Sequence, residues 1–103
     1  MSGQPVPEQA QLLHKRARAA GARGDYEQAL ALLAEARVLA PGWAYPVYDS
    51  AFTHLLTGDT VRAEELYAEV DRMEPGGFFT CKTTLDMLRR ERAGELPAGF
   101  SKA

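Results

Sequence analysis

The sequence predicts an all-α fold of five helices, in which antiparallel helix pairs stack into a short α-solenoid. The first observation is a repeat: the segment "GDYEQALALLAEARVLAPG" at 24–42 returns in outline as "GDTVRAEELYAEVDRMEPG" at 58–76. Internal repeats of this size are typical of stacked helical arrays. The second observation is a spacing of three and four residues between apolar positions, which is the period of a helix. The third is the lack of alternating strand patterns and of an Asn-Gly hairpin turn.

Five pairs of identical residues, each 34 positions apart, carry the repeat. In each unit a glycine and an aspartate precede a helix, because glycine accepts a left-handed backbone and aspartate caps a first helical turn. A proline follows the same helix, because proline disfavours helix in the residue before it. Each unit therefore holds two helices. The pairs are Gly24 and Gly58, Asp25 and Asp59, Ala29 and Ala63, Pro41 and Pro75, and Gly42 and Gly76.

The first unit contains the first two helices. The first helix is predicted from Pro7 to Ala22, with an apolar stripe of Ala10, Leu13, Ala17 and Ala20. The second begins after the N-cap Asp25, where Gln28 completes a capping-box pattern, and it ends at Pro41. Its inward side is predicted to hold Tyr26, Ala29, Leu30, Leu33, Ala36 and Leu39.

The third and fourth helices form the second unit. The third lies within 42–59, and Pro46 falls in its first turn, where a missing N–H is harmless. Its apolar residues make a stripe wider than one core face needs: Val47, Tyr48, Ala51, Phe52, Leu55 and Leu56. The fourth helix, Thr60 to Met73, is predicted to bury Ala63, Leu66, Tyr67, Val70 and Met73.

A fifth helix is predicted from Phe78 to Arg92, and Gly94 and Pro97 end it. Its stripe is Phe78, Cys81, Leu85 and Leu88. The expected organisation is a flexible segment over 1–7, a helical domain over 8–94 and a loose tail over 95–103. Phe100 is expected to fold back from the tail onto the domain.

These features resemble the tetratricopeptide repeat (TPR), a helix–turn–helix unit of this period. Repeat one would cover about 10–43, repeat two about 44–77, and a capping helix about 78–93. The family places small residues where its helices cross, and Ala17, Ala29, Ala51 and Ala63 match those positions. Leu33 and Tyr67 match its bulky late position, but Leu13 and Val47 stand where an aromatic residue is usual. The resemblance implies a right-handed stack.

The resemblance also implies a concave groove lined by the first helix of each unit. The groove residues that it assigns are His14, Arg18, Tyr45, Tyr48, Phe52, Phe79, Lys82 and Arg89. The aromatic row Tyr45, Tyr48 and Phe52 is either a ligand surface or part of the core. Of the three, the two tyrosines are expected to be exposed and Phe52 to be buried. The paired Lys and Asn residues that hold a C-terminal carboxylate in some members are absent, since the chain has no Asn.

Other chemistry has little support in the sequence. His14 and His54 are the only histidines, too few for a metal site, and we expect His14 to be exposed and His54 to be packed. Cys81 lies on an apolar stripe and is expected to be an inert buried thiol. No glycine-rich phosphate loop is present, since "GARGD" and "PGG" are helix ends and lack the lysine of such a loop. We therefore expect no enzyme activity, no cofactor and no metal.

The composition limits the classes of partner and the cellular compartment that the sequence predicts. The net charge of −2 gives no overall attraction to nucleic acid or to an anionic membrane, and no apolar run is long enough to span a bilayer. A single cysteine and the lack of a signal pattern predict a cytoplasmic protein. The abundance of Ala, Arg and Gly is typical of a GC-rich bacterial genome.

The resemblance implies a non-catalytic protein–protein interaction module, an adaptor or accessory subunit that binds an apolar or aromatic peptide or helix. An acidic flank of that ligand would meet Arg18, Lys82 and Arg89. The main alternative is a structural homo-oligomer, such as a homodimer, built through the same apolar surface or through the first helix. A weaker alternative is an RNA-binding regulator, suggested by basic residues near both ends of the helical domain.

Overall fold

A computed structural model describes residues 5–100, which form five α-helices with no strand among them. They are α1 (Glu8–Ala22), α2 (Tyr26–Leu39), α3 (Ala44–Leu56), α4 (Thr60–Met73) and α5 (Cys81–Arg92). The predicted all-α fold of five helices is confirmed. No helix in this part of the chain is long and apolar enough to cross a membrane.

The 34-residue repeat of the sequence is also a repeat of backbone geometry. The N-caps of α2 and α4 have nearly the same dihedral angles, φ −87° and ψ 72° at Asp25 and φ −86° and ψ 75° at Asp59. The Asp25 carboxylate accepts a hydrogen bond from the backbone N–H of Gln28 at 3.2 Å, and the Asp59 carboxylate accepts one from that of Arg62 at 3.0 Å. These bonds satisfy an N–H group that the helix itself leaves unpaired.

The turn before each cap repeats as well. Gly24 has φ 81° and Gly58 has φ 92°, values in the left-handed region that L side chains rarely adopt. After each glycine the backbone N–H of the aspartate donates to a carbonyl five residues earlier, at 2.9 Å in both turns. The turn therefore closes α1 and α3 and sets the direction in which α2 and α4 return.

Small residues lie at the crossings inside each helix pair. Ala17 and Ala29 are buried, and so are their counterparts Ala51 and Ala63. Short side chains let two helices approach closely, which explains alanine at these positions.

The larger of the two core clusters lies between α3, α4 and α5 and includes Val47, Leu66, Tyr67, Val70 and Leu85. The smaller contains Leu13, Ala17, Leu32, Leu33 and Ala36 of α1 and α2.

Extensive packing follows chain order: α1 packs on α2, α2 on α3, α3 on α4 and α4 on α5. A closed five-helix bundle would instead bring α1 and α5 together over their lengths. The molecule measures 42 × 32 × 17 Å along its principal axes, so it is flat, as expected for a short stack of helix layers.

Two predicted features of the helices are wrong. The fifth helix begins at Cys81 and not at Phe78, because Gly77 at φ 115° and Phe79 at φ 50° hold the chain in a turn. On α2, Leu39 is 43% exposed and not inward, whereas Leu32, which the predicted stripe omitted, is 4% exposed. The predicted stripe of α1 is confirmed.

The segments outside the helices are only partly described. Of the predicted flexible segment 1–7, residues 1–4 lie outside the described part; the Val6 carbonyl accepts a hydrogen bond from the Gln11 side chain at 2.9 Å. Of the predicted tail 95–103, residues 101–103 also lie outside it. The Gly99 N–H donates to the Glu91 carboxylate at 2.8 Å, and Phe100 is 46% exposed, so any packing of Phe100 onto the domain is partial.

Candidate partner-binding groove between α1 and α3

An open pocket of about 280 Å³ lies between the C-terminal halves of α1 and α3. Its lining is mostly apolar and includes buried residues of two helices, Ala17 of α1 with Ala29 and Leu33 of α2. Phe52 and Leu56 of α3 complete the apolar lining. The pocket therefore spans two helix pairs, and we call it the α1–α3 pocket.

Phe52 is the main correction to the expected site. The sequence predicts a buried Phe52, but its side chain is 47% exposed, and Leu56 one turn later is 46% exposed. The core side of α3 is already formed by Val47, Ala51 and Leu55, which are at most 5% exposed. The wide stripe of α3 is thus two faces, and Phe52 and Leu56 belong to the one that lines the pocket.

Arg18 of α1 lies at the edge of the same pocket. Its guanidinium donates a hydrogen bond to the Tyr45 hydroxyl at 2.6 Å, and its Cζ atom lies 5.6 Å from the centre of the Tyr45 ring. A guanidinium near an aromatic ring in this way gains cation–π attraction. Both contacts orient the Arg18 side chain, and neither neutralises its charge.

His14 and Asp49 join α1 to α3 beside the pocket. The His14 Nε2 atom lies 2.7 Å from an Asp49 carboxylate oxygen, and the His14 ring packs on Trp43 and Tyr45 with centroid distances of 5.1 and 4.4 Å. The expectation of an exposed His14 is wrong, since the residue is 6% exposed. These three contacts of His14 all come from α3 and its N-cap, so this histidine fixes the first helix pair against the second. The expected packing of His54 is only partial, because its side chain is 22% exposed.

An aromatic cluster continues from His14 towards α5. Tyr45 lies 5.8 Å from Phe78 and 5.4 Å from Phe79 between ring centres, and Tyr48 lies 5.5 Å from each of these phenylalanines. Tilted and edge-on rings at such distances attract one another. Phe79 remains 68% exposed at the outer side of the cluster.

Tyr45 and Tyr48 are therefore half-buried, and their expected exposure is wrong. The Tyr48 hydroxyl shares a hydrogen bond with the Thr80 hydroxyl at 2.8 Å, which ties α3 to the residue that precedes α5. The Tyr48 ring also meets the buried Tyr67 ring at 5.7 Å. Tyr48 contributes mainly to the joint between the second helix pair and α5.

The remaining two predicted groove residues lie on α5, away from the pocket. The Lys82 ammonium pairs with the Asp71 carboxylate at 2.6 Å, so its charge is directed towards α4. Arg89 is exposed. Two of the eight predicted residues, Arg18 and Phe52, line the α1–α3 pocket. Four others belong to the aromatic cluster: His14, Tyr45, Tyr48 and Phe79. Lys82 and Arg89 belong to neither.

The sequence-based selection omitted Asp49, which lines the pocket. A signal was available, because Tyr45, Asp49, Phe52 and Leu56 follow one another at steps of four, three and four residues, which places them on one face of α3. What the spacing did not indicate is which neighbours that face would meet.

No group of three His, Cys, Asp or Glu side chains within residues 5–100 could hold a metal ion. The Cys81 thiol is buried and donates to the Tyr67 carbonyl at 3.1 Å. Burial raises the pKa of the Cys81 thiol, Asp71 raises it further and Lys82 partly opposes them. A thiol in this state is a poor nucleophile.

Comparison of the chain with models of protein families, with curated proteins and with solved structures finds no match in any of the three.

Proposed function

We propose that this chain is a non-catalytic protein–protein interaction module of the tetratricopeptide-repeat type, an adaptor or accessory subunit. It binds an apolar or aromatic segment of a partner protein in the α1–α3 pocket. The observation that carries the proposal is the pair Phe52 and Leu56, large apolar side chains about half exposed beside an open pocket with an apolar floor. Exposed apolar surface that lines a concavity is the usual mark of a binding site.

The order of the helices supports the repeat-type assignment. The two helix pairs share cap dihedrals, turn geometry and alanine crossings at a spacing of 34 residues. In such arrays one helix of each pair lines a common face, and the pocket lies between the first helices of the two pairs. A cytoplasmic, bacterial protein remains part of the proposal, and the free, buried Cys81 suits a reducing compartment.

The test is selection of binding peptides from a random dodecapeptide phage library on the full chain. We expect selected peptides to contain a large apolar side chain, and we expect Phe52→Ser to weaken their binding about tenfold or more, measured by fluorescence polarisation. Val38→Ser is the matched control, because Val38 is 80% exposed on α2 and lies outside the pocket. Equal weakening by both variants, or by neither, would exclude the pocket as the binding site.

A homo-oligomer is the second candidate, and one observation favours it. Leu12 is 53% exposed on α1, beside a shallow hollow that Glu8, Gln9 and Arg16 also line. A second copy could cover this face of the first helix. Light scattering after size exclusion tests this candidate. A mass near 11.3 kDa at all concentrations would exclude the homo-oligomer, and a dimer abolished by Leu12→Ser would support it.

A further inference from the structure

The basic residues of the molecule divide into two groups. Five pair with carboxylates of the same chain at 4 Å or less: Arg37 with Glu69, Arg62 with Glu65, Lys82 with Asp71, Arg90 with Asp86 and Glu95, and Arg92 with Glu64. The four basic residues of α1 and its C-cap, Lys15, Arg16, Arg18 and Arg23, have no carboxylate partner within residues 5–100. Of the other basic residues that the structure describes, only Arg72 and Arg89 share that condition.

Arg18 differs from the rest of this unpaired group because it lies at the α1–α3 pocket and is held in place. The Tyr45 hydroxyl and ring orient its guanidinium without supplying a negative charge. An arginine oriented before binding loses less side-chain entropy when it pairs with an anion. Its fork of N–H donors also matches a carboxylate, which can accept two parallel hydrogen bonds.

The opposite wall of the pocket carries an acidic side chain. Asp49 of α3 lines it, and its carboxylate is 2.7 Å from His14. An incoming carboxylate would be repelled near Asp49 and attracted near Arg18. The pocket therefore favours a ligand whose acidic group lies on the α1 side and whose apolar group lies between the two walls.

We propose that the α1–α3 pocket recognises a partner segment in which a large apolar side chain stands next to an aspartate or glutamate. The apolar side chain packs on Ala29 and Leu33 beside Phe52, and the carboxylate pairs with Arg18. This inference rests on the proposed function and adds the chemical class of the ligand. Charge complementarity carries it, since the only cation at the pocket has no acidic partner of its own in the described chain.

The experiment pans the same dodecapeptide library on the wild-type chain and on Arg18→Gln. We expect wild-type selections to enrich Asp or Glu beside the apolar anchor, and Arg18→Gln selections to lose that enrichment. For the best peptide, its Glu→Gln version should bind the wild-type chain about five- to tenfold more weakly. The same peptide change should have no effect on binding to Arg18→Gln, because the partner charge is already gone.

Arg16→Gln is the matched control, since it removes the same charge from the same helix at a position outside the pocket. It should retain the acidic preference. Tyr45→Phe is a second variant, which keeps Arg18 but removes the hydroxyl that orients it, and it should reduce the preference. Circular dichroism and the melting temperature establish that each variant is folded.

Each outcome separates this inference from the proposed function. Apolar peptides without acidic residues, selected equally by wild type and Arg18→Gln but lost with Phe52→Ser, would overturn the acidic requirement and leave the proposed function. Equal loss of the acidic preference in Arg16→Gln and Arg18→Gln would also overturn it, because overall charge would then be the cause. A library that yields no binder, or only binders unaffected by Phe52→Ser, would overturn both.

Discussion

Tyr67 places a phenol among α3, α4 and α5, where it is 1% exposed. Burial raises the pKa of Tyr67 above its ordinary value of 10.0, and nearby Tyr48, Cys81 and Asp49 add to the effect. Within residues 5–100 the Tyr67 hydroxyl has no hydrogen-bond partner. The residue therefore contributes by filling volume, and its hydroxyl makes the core sensitive to high pH.

We expect the free energy of unfolding to fall as the pH rises above about 10. The unfolded chain releases the Tyr67 proton near pH 10, whereas the folded chain retains it, so rising pH favours the unfolded state. Tyr67→Phe should reduce this loss and should leave stability at pH 7 unchanged or higher by about 1 kcal/mol. Urea unfolding at pH 7 and at several values between 9 and 11 measures both; an unchanged alkaline slope would contradict the assignment.

The sequence predicts burial on one side of a helix well and burial between helix pairs poorly. Ala17, Ala29, Ala51 and Ala63 are buried as predicted, because each crosses the partner helix of its own pair. His14 and Phe52 have the reverse of their expected exposure. Their surroundings depend on how one pair lies against the next, and no local periodicity contains that information.

The repeated caps fix where α2 and α4 begin. Both helices start at the residue after an aspartate that follows a left-handed glycine. This pattern is local, with every contact inside a turn of a few residues, and the sequence accordingly predicts α4 with the bounds that the structure has. The start of α5 lacks such a cap, because the Thr80 hydroxyl bonds to Tyr48 and caps no N–H of α5.

Asp25→Ala and Asp59→Ala should each destabilise the chain by about 1 kcal/mol, because each removes the acceptor for a backbone N–H in the first turn. The two losses should be similar, since the two caps share the same geometry, and nearly additive, since the caps share no partner. Urea unfolding of the single and double variants measures them. Glu27→Ala serves as a control, because it removes a charge from the same first turn of α2 and leaves the Asp25 cap in place. A loss in Glu27→Ala as large as that in Asp25→Ala would show that the first-turn charge, and not the cap, is responsible.

The α1–α3 pocket depends on both helix pairs. Its floor comes from α1 and α2, and its outer wall comes from α3. The His14–Asp49 pair and the Arg18–Tyr45 hydrogen bond cross the same boundary. The sequence predicts the two helix pairs and, of the residues that line the pocket, Arg18 and Phe52. The pocket itself follows from the stacking of the pairs, which joins residues 27 and 35 positions apart.

The arrangement of charge also differs across the boundary between the two helix pairs. Ion pairs between helices, such as Arg37 with Glu69 and Arg92 with Glu64, involve the acidic α4, whereas the cations of α1 have no acidic helix against them. Surface ion pairs of this kind contribute little stability individually. Among the described residues, α1 and its C-cap therefore hold four of the six basic side chains without a carboxylate partner, and Arg18 is the one of them that lines the α1–α3 pocket.

The most direct test of the α1–α3 pocket as the binding site is to map a selected peptide onto the chain by backbone amide NMR. We predict the largest chemical-shift changes at 17–22 of α1 and at 49–56 of α3, with α4 little affected. Phe52→Ser should abolish the changes at the concentrations that saturate the wild-type chain. Largest changes on α4 or α5, or a full pattern of changes that persists in Phe52→Ser, would contradict the assignment of the α1–α3 pocket as the binding site.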